Sequence, residues 1–591
     1  MNKKLRIVCL VLAVLMLFVS CNGKNGATTS SDIIGGNTNN SSSSTDNATS
    51  SDSTSDETPS GETPNITPDA GNEGVETERK LVGNAYTSGF PIVKDKIELT
   101  VMAEKTSMHG EFDTMAFSKE YEKKTNIKIN WELFSTSDRN NKASLALMSG
   151  NPPDVMCMID GLSATDIITY GGQDMLVPIE DMLSQWAPNV KLALEQNSVA
   201  KKSVTTPDGH IYSVPLIHSV DDHTIFPEKM YINKTWLENL VLPMPTTYSE
   251  LLNVLRQFKN GDPNGNGQKD EIPIATSLFN VMLAGAPQGL AWDWTTDRMY
   301  VDSNNKIGYF MATEAYRDSI KFYKTLYSEG LCDKNVLEGK ATVAGKARTG
   351  KVGVFTAVAG TTTLSEKELK NYTMLPALKS TADSKQTVWA RQREKIYPFA
   401  FVITASALKD KNKSKVEAAL RWVDYFFTTE GYVFEQYGSA SSGFYKKLSN
   451  GKLEILPKKT DSDRYKIAPG YVLPSWYTLA AKNVWAEKDA SKMTEADKFF
   501  RDIDEGMSNS LYRPLIQSKF IPHLFFTKVQ SAKLNTLADP IHSYAYNTGL
   551  AFVKGDMNID TGWNDYLAEL KRLGVEEFVS IYQSAYNSYN G

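Results

Sequence analysis

The chain has 591 residues, 41% of them hydrophobic, with a formal net charge of −5 at pH 7. A chain of this size can bury more than one core, because single cores stop growing near about 250 to 300 residues. A mildly acidic balance argues against nucleic acid as a partner. Four cysteines in this length exclude a disulfide scaffold.

The first twenty residues carry a short basic start (Lys3, Lys4, Arg6) and an apolar run from Ile7 to Val19. The run is short for a bilayer span and suits the apolar core of a secretory signal, with an uncleaved anchor helix as the alternative. Ser20 before Cys21 is the cleavage pattern of bacterial lipoproteins, and FVSC resembles that lipobox with Phe18 where Leu is usual. Residues 1–20 are therefore expected to be the signal peptide and Cys21 the lipidated mature N-terminus, multiply acylated because one acyl chain holds a membrane only weakly. Losing three positive charges takes the net charge from −5 to −8. No later stretch approaches eighteen consecutive apolar residues, so the lipid is the only expected membrane contact. Either reading of the N-terminus places the remainder outside the cytoplasm.

Residues 21–92 are expected to form a tether. From Asn22 to about Arg79 the chain is dominated by Ser, Thr, Asn, Gly and Asp and carries almost no large apolar side chains, so it cannot bury enough surface to fold. A flexible stretch of about seventy residues reaches roughly 45 Å.

The folded region, 93–591, opens with alternating Ile97, Leu99 and Val101, then Phe112, Met115, Phe117 and Tyr121 at helical spacing, then alternating Ile127, Ile129, Trp131 and Leu133. A second helix around Lys142–Met148 stops at SGNPPD, and Val155 to Ile159 read as a buried strand. This βαβαβ pattern predicts an α/β lobe with a parallel sheet. Tyr316, Ile320, Tyr323 and Tyr327 before Gly330, and Val416, Leu420, Val423 and Phe427 before Gly431, predict further helices. Cys157, in DVMCMI, reads as a small buried hydrophobe; Cys332 follows a helix end, and a bond between the two has no support in the sequence.

Several blocks in order resemble family 1 extracellular solute-binding proteins, especially the LplA-like lipoproteins and their alginate-binding relatives. They are TVMAEK with FSKEYEKKTNIKINWE, ALMSGNPPDVM, DGHIYSVP, MYINKTWLENLVLPMPTTYSEL, RWVDYFFTTEGYVFEQYG and the closing FVKGDMNIDTGWNDYLAELKRLGVEEFVSIYQSAYNSY. Where many relatives have Gly-Glu-Gly before a tyrosine, Gly438 is followed here by SASSGFY, ending on Tyr445. The resemblance implies a periplasmic-binding-protein-like fold: two α/β lobes of the type II class joined by hinge crossings, with a helix-rich C-terminal part and ligand held in the cleft between lobes that close. By that analogy lobe 1 takes about 93–225 plus a segment near 345–405, and lobe 2 takes 226–344 plus most of 406–591. It further implies a monomer that captures an oligosaccharide and delivers it to the permease subunits of an ABC importer.

Residues 262 to 273 read DPNGNGQKDEIP. Asp262, Asn264 and Asn266 stand at positions one, three and five of a tight loop with Gly267 at six, and the turn aims the Gln268 carbonyl inward at seven, as a calcium ion requires. Position twelve is Pro273 rather than the bidentate Glu of an EF-hand, and acids appear at Asp270 and Glu271 instead. The same compact pattern ligates calcium in the alginate-binding relatives, so the resemblance implies a structural calcium held by Asp262, Asn264, Asn266, Gln268, Asp270 and Glu271. A solvated polar turn is the alternative.

Sugars are gripped by flat aromatic faces and a few placed polar groups. Trp292 and Trp294 in AWDWTTD, Trp389 and Arg391 in VWARQREKIYPF, Trp476 in LPSWY, and His109 after the first strand are the candidate ligand contacts; core packing is the competing reading for the tryptophans and a solvated rim for the arginine. A binding protein for a peptide or another non-sugar solute, or a secreted carbohydrate-active enzyme, are the alternatives. Catalysis has no positive support: there is no G-x-S-x-G and no H-E-x-x-H, and HSVDDH at 218 to 223 lacks metal-ligand spacing.

Overall fold

The computed structural model describes residues 79–590 except 160, 219–225, 227, 293–295, 389–394, 411–412, 457–460, 471, 477–482, 489 and 518. The expected signal, Cys21 and residues 21–78 of the tether lie outside the described residues; residues 79–92, expected to be tether, instead fold, with Leu81–Val82 paired to Ala85–Tyr86 and Ala85 and Ile92 buried in the first core.

In chain order the first lobe begins with β1 (Ile97–Lys105), α1 (Ala116–Thr125), β2 (Ile127–Ser135), α2 (Arg139–Met148) and β3 (Val155–Cys157). This is the βαβαβ unit that the alternating and helical apolar spacings predict. It continues through α3 (Ala164–Gly171), α4 (Pro188–Gln196) and α5 (Ser198–Val204) to β4 (Ser213–His218). The second lobe then starts at β5 (Lys229–Asn233), followed by α6 (Tyr248–Asn260), β6 (Ile272–Ala275), α7 (Glu314–Ser328), β7 (Val352–Ala357) and β8 (Tyr372–Met374). The chain returns to the first lobe with β9 (Lys395–Ile403), α8 (Lys415–Asp424) and α9 (Thr429–Tyr437). It goes back to the second through a thirteen-residue π-helix, Phe500–Tyr512, and ends in α10 (Lys528–Lys554), α11 (Ile559–Arg572) and α12 (Val575–Asn590).

Two sheets result, ordered β2-β1-β3-β9-β4 and β8-β5-β7-β6. In the first, β1 is parallel to β2 and β3, whereas β9 is antiparallel to both β3 and β4. The sheet is thus mixed rather than parallel, because β9 enters from the other lobe and must run against its neighbours. Each sheet has its own apolar core. The first core draws on residues 85–217, 396–434 and 468–473, the second on 226–388 and 499–586.

This division corrects the one inferred from the sequence, which gave 345–405 to lobe 1 and most of 406–591 to lobe 2. Strand β7 pairs with β5 and β6 of the second sheet, and β8 pairs with β5, so only the end of that segment belongs to lobe 1. Residues Val416, Leu420 and Val423 of α8 bury against the first core. Alternating apolar residues read the same in either sheet, so the pattern could not place the return crossing. Gly431 also differs from its expected role as a helix stop. It sits inside α9, where a Cβ would lie 1.8 Å from the Tyr425 carbonyl oxygen, so a close approach demands glycine there. Gly330 does follow the end of α7, with φ +59°.

Cys157 lies in β3 and Cys332 in the second core; both are free and buried, and burial pushes the Cys332 thiol up to about 11. Among the described residues no helix is long and apolar enough to cross a membrane. Asp424, at the end of α8, binds the first turn of α4: its carboxylate accepts from Asn189 N (2.8 Å), Asn189 Nδ2 (2.7 Å) and Val190 N (2.9 Å). Burial pushes this carboxyl up to about 6, so near neutral pH it is an ionised acceptor with three donors. Asp424→Ala would leave those buried donors unpaired and is expected to lower unfolding stability by about 2 to 4 kcal/mol in a denaturant titration, with Asp424→Asn losing less.

Candidate functional site: the interlobe crossings

The described chain passes between the two cores three times: between His218 and Phe226, between Val388 and Lys395, and between Trp485 and Phe499. The strand ends that meet the first two crossings are on one edge of each sheet. In lobe 1 the end of β4 pairs with the start of β9, His218 opposite Lys395. In lobe 2 the start of β5 faces the end of β7, Lys229 opposite Ala357, and β7 in turn faces the end of β6, Phe355 opposite Ala275. Openings beyond the carboxyl ends of parallel strands are where α/β sheets bind ligands, since backbone groups and loops converge there.

The strand ends are held by buried polar pairs. At the end of β1, Glu104 accepts from Arg139 Nε (2.7 Å) and Nη2 (2.6 Å) and from Thr136 Oγ1 (2.8 Å), which ties β1 to the β2–α2 turn. In lobe 2, Asn280 Nδ2 donates to Glu228 Oε2 (3.1 Å), and the Lys229 ammonium is buried against the carbonyls of Phe226 (3.2 Å) and Val358 (2.5 Å). These residues were not singled out from the sequence. The only signal pointing to them was position, just past the ends of strands.

Of the sequence-predicted ligand contacts, the structure removes two. Trp292 is 1% exposed, donates its indole N–H to Ala284 O (2.6 Å) and stacks on Phe310 at 4.5 Å, so it is core of lobe 2 and offers no face to a sugar. His109 is 7% exposed with both ring nitrogens engaged. Thr106 N–H donates to Nδ1 (3.1 Å), which fixes the neutral tautomer whose Nε2–H donates to Pro469 O (2.7 Å). The ring also meets Tyr465 edge-on at 4.6 Å. His109 therefore fastens the loop after β1 to the 464–470 segment of its own lobe. Trp476 is half-buried beside the first crossing, where Ile217 N–H bonds the Ser475 carbonyl (2.9 Å) and Ile217 bridges Trp476. Trp389 and Arg391 fall on the second crossing, and Trp294 follows Trp292; all three lie outside the described residues, as does most of HSVDDH. The departure at Gly438 is accommodated by Tyr445, whose hydroxyl donates to the Gly438 carbonyl (3.3 Å).

The 262–271 loop sits apart from the crossings, at the end of α6. Asp262 Oδ1 and Oδ2 accept from Asn266 N (3.1 Å) and Gly267 N (2.9 Å), Asn264 Oδ1 from Asn266 N (3.0 Å), and Asn266 Oδ1 from Gln268 N (2.7 Å). Gly265 and Gly267 adopt φ +69° and +72°. Asp270 Oδ1 accepts from Asn266 Nδ2 (3.1 Å) and Oδ2 from Lys351 Nζ (2.5 Å); these two donors hold its carboxyl below the usual carboxylate range, Lys351 most. Glu271 Oε1 is buried with no hydrogen-bond partner. Among the described residues no three Asp, Glu, His or Cys side chains gather as a metal cluster. The loop instead offers mixed carboxylate, amide and carbonyl oxygens, the donor set of a hard cation, with a lysine ammonium on one acid and one acid oxygen left over.

A family model, bacterial extracellular solute-binding protein, matches residues 107–433, more than half of the chain. The chain belongs to that family. The solute-binding protein is 26% identical, over 85% of its own length and 92% of the relative's, to a fructooligosaccharide ABC transporter substrate-binding protein, FusA, of Streptococcus pneumoniae. It is 25% identical to the polygalacturonan/rhamnogalacturonan-binding protein YtcQ of Bacillus subtilis, over 52% of the chain and 58% of the relative. Solved structures of S. pneumoniae FusA in complex with kestose, and of its EF-hand mutant with fructo-nystose, superpose with TM-score 0.69 at 25% identity, over 84% of this chain and 99% of theirs. Alginate-binding protein AlgQ2, solved without calcium ion, shares the fold (TM-score 0.60, 20% identity, 85% of this chain and 100% of that one). The fold is the two-lobed one expected, and the family is one of solute-binding proteins rather than enzymes.

Burial, with the Arg464 charge adding to it, holds the His109 imidazole below its ordinary range against the pull of the Pro469 carbonyl. The native state therefore binds fewer protons at His109 than the unfolded chain, whose imidazole titrates near about 6.5. The stability it contributes is present above that pH and is lost as pH falls through and below it. Thermal unfolding followed from pH 7.5 to 5 is expected to show a smaller acid-induced fall in Tm for His109→Gln than for the unaltered protein.

Proposed function

We propose that this solute-binding protein captures an oligosaccharide between its lobes and delivers it to the permease of an ABC importer. The carrying observation is a two-lobed fold whose chain crosses between the lobes three times, twice at strand ends, matched over nearly its whole folded length by a saccharide-binding relative. Trp476, half-buried beside the first crossing, is proposed to meet a sugar face, with Trp294, Trp389 and Arg391 as its companions; its partial exposure next to the Ile217 bridge supports this. The protein is proposed to act as a monomer, held at the outer face of the membrane by acylated Cys21. The 262–271 loop is proposed to bind one structural calcium ion through Asp262, Asn264, Asn266, Gln268, Asp270 and Glu271. The unpaired Glu271 Oε1 and the convergence of loop oxygens support this, and the loop's distance in sequence and sheet from the crossings makes the ion a brace and not part of the ligand site.

Thermal unfolding of the protein from about residue 80, against a panel of neutral and acidic oligosaccharides, tests this reading. A true ligand at a hundred times its Kd adds about 2.7 kcal/mol of stability. Trp476→Ala is expected to weaken binding about tenfold by calorimetry while Trp292→Phe leaves the affinity unchanged and lowers Tm alone. Chelator is expected to lower Tm with the saccharide affinity largely kept, and Asp262→Ala to abolish the calcium effect. No stabilisation by any saccharide, with stabilisation by peptides, would replace the sugar reading with a peptide one.

A further inference from the structure

The outer edge of lobe 1 carries a groove of about 420 Å³, within the range of small-molecule sites and too large for a single water. One wall is α1, with Ser118, Lys119 and Glu122; the other is the edge strand β2, from Lys128 to Trp131, and Asp113 stands at its mouth. The Trp131 indole is held from behind by edge-on contact with Phe112 at 5.1 Å and by Trp422 at 6.4 Å. Two polar atoms of the walls, Trp131 Nε1 and Ser118 Oγ, are buried and have no hydrogen-bond partner. Each such group costs about 1 to 3 kcal/mol if it stays unpaired.

The remaining groups define what would pair with them. Asp113 and Glu122 balance Lys119 and Lys128, so neither an anion nor a cation meets a complementary field. Lys96 pairs with Glu122 at 2.5 Å, and Glu98 accepts from Lys128 (3.2 Å) and Asn130 (2.9 Å), which leaves donors and acceptors mixed along one short trough. A polyhydroxyl ligand fits such a set, because each hydroxyl both donates and accepts. Strand addition to β2 is opposed by Lys96 and Lys128, charges that blunt an edge.

We propose that this groove is a second saccharide site, outside the interlobe opening, that takes one or two neutral hexose units with Trp131 Nε1 and Ser118 Oγ as its anchoring hydrogen bonds. A ligand that parts the long side chains of Lys119, Glu122 and Lys128 reaches both atoms. The site would hold the receptor weakly against a long glycan whose end occupies the opening between the lobes.

The intact protein labelled with 5-fluorotryptophan reads this out, with the Trp131 fluorine resonance assigned by Trp131→Phe. Titration with raffinose is expected to shift that resonance saturably in the millimolar range, and Ser118→Ala, a mild change on a helix surface, to weaken the response three- to tenfold while thermal stabilisation by the cleft ligand is unchanged. No shift would overturn the proposal. So would an equal shift with glycerol, or a shift that Ser118→Ala leaves intact and that therefore comes from the cleft.

Discussion

Everything in this molecule follows from each core being filled by segments that are far apart in the chain. The first core needs β9 and α8 from beyond residue 395 to cover strands made before residue 218, and the second needs α10 to α12 to cover strands made before 375. Burying roughly 25 cal/mol per Å² of apolar surface in two places fixes which segments must cross, and the crossings in turn fix where the lobes can open. A fourth link reinforces them: Ile521 and Leu524 bury in the second core, while His523 and Phe525 lie at 6.3 and 6.0 Å from Phe399, which belongs to a smaller apolar cluster of lobe 1 with Met102, Phe134 and Met156. The lobes are thus joined by packing as well as by the crossings, and by a hydrogen bond between Thr165 Oγ1 and Ser531 Oγ (2.6 Å).

The polar groups near the crossings serve that geometry by making each lobe's edge rigid. Asp504, on the π-helix that follows the third crossing, is fully buried and accepts from Tyr231 Oη (2.7 Å), Gly360 N (3.0 Å) and Thr361 Oγ1 (2.8 Å). Burial, and then the Asp504 charge, raise the Tyr231 phenol well above its usual range, so it remains a donor. Irregular helices of this kind survive where surrounding contacts over-determine them. His109 and Glu104 do the equivalent in lobe 1.

How much of this was legible depended on how local the cause was. The βαβαβ opening was readable because Ile97 to Leu133 alternate or recur at helical spacing against one core, and α7 was readable from its tyrosines. The reversal of β9 and the assignment of β7 to the second sheet were not, since pairing partners leave no trace in a strand's own residues. Trp292 and His109 were misplaced for the same reason: a tryptophan reads alike on a sugar or on Phe310, and only the Ala284 and Pro469 carbonyls, distant in sequence or hidden in loops, decide it. The 262–271 loop was the reverse case, its turn set by Gly265, Gly267 and near-neighbour oxygens, so its geometry could be drawn from spacing alone.

The proposed capture of a ligand between the two lobes predicts that ligand changes the shape of the molecule and nothing in its chemistry. Small-angle X-ray scattering of the folded region with and without a stabilising oligosaccharide measures that directly. The account predicts a saturable decrease in the radius of gyration with the saccharide recovered intact. An unchanged radius at saturation, or cleavage of the saccharide by the pure protein, would contradict it.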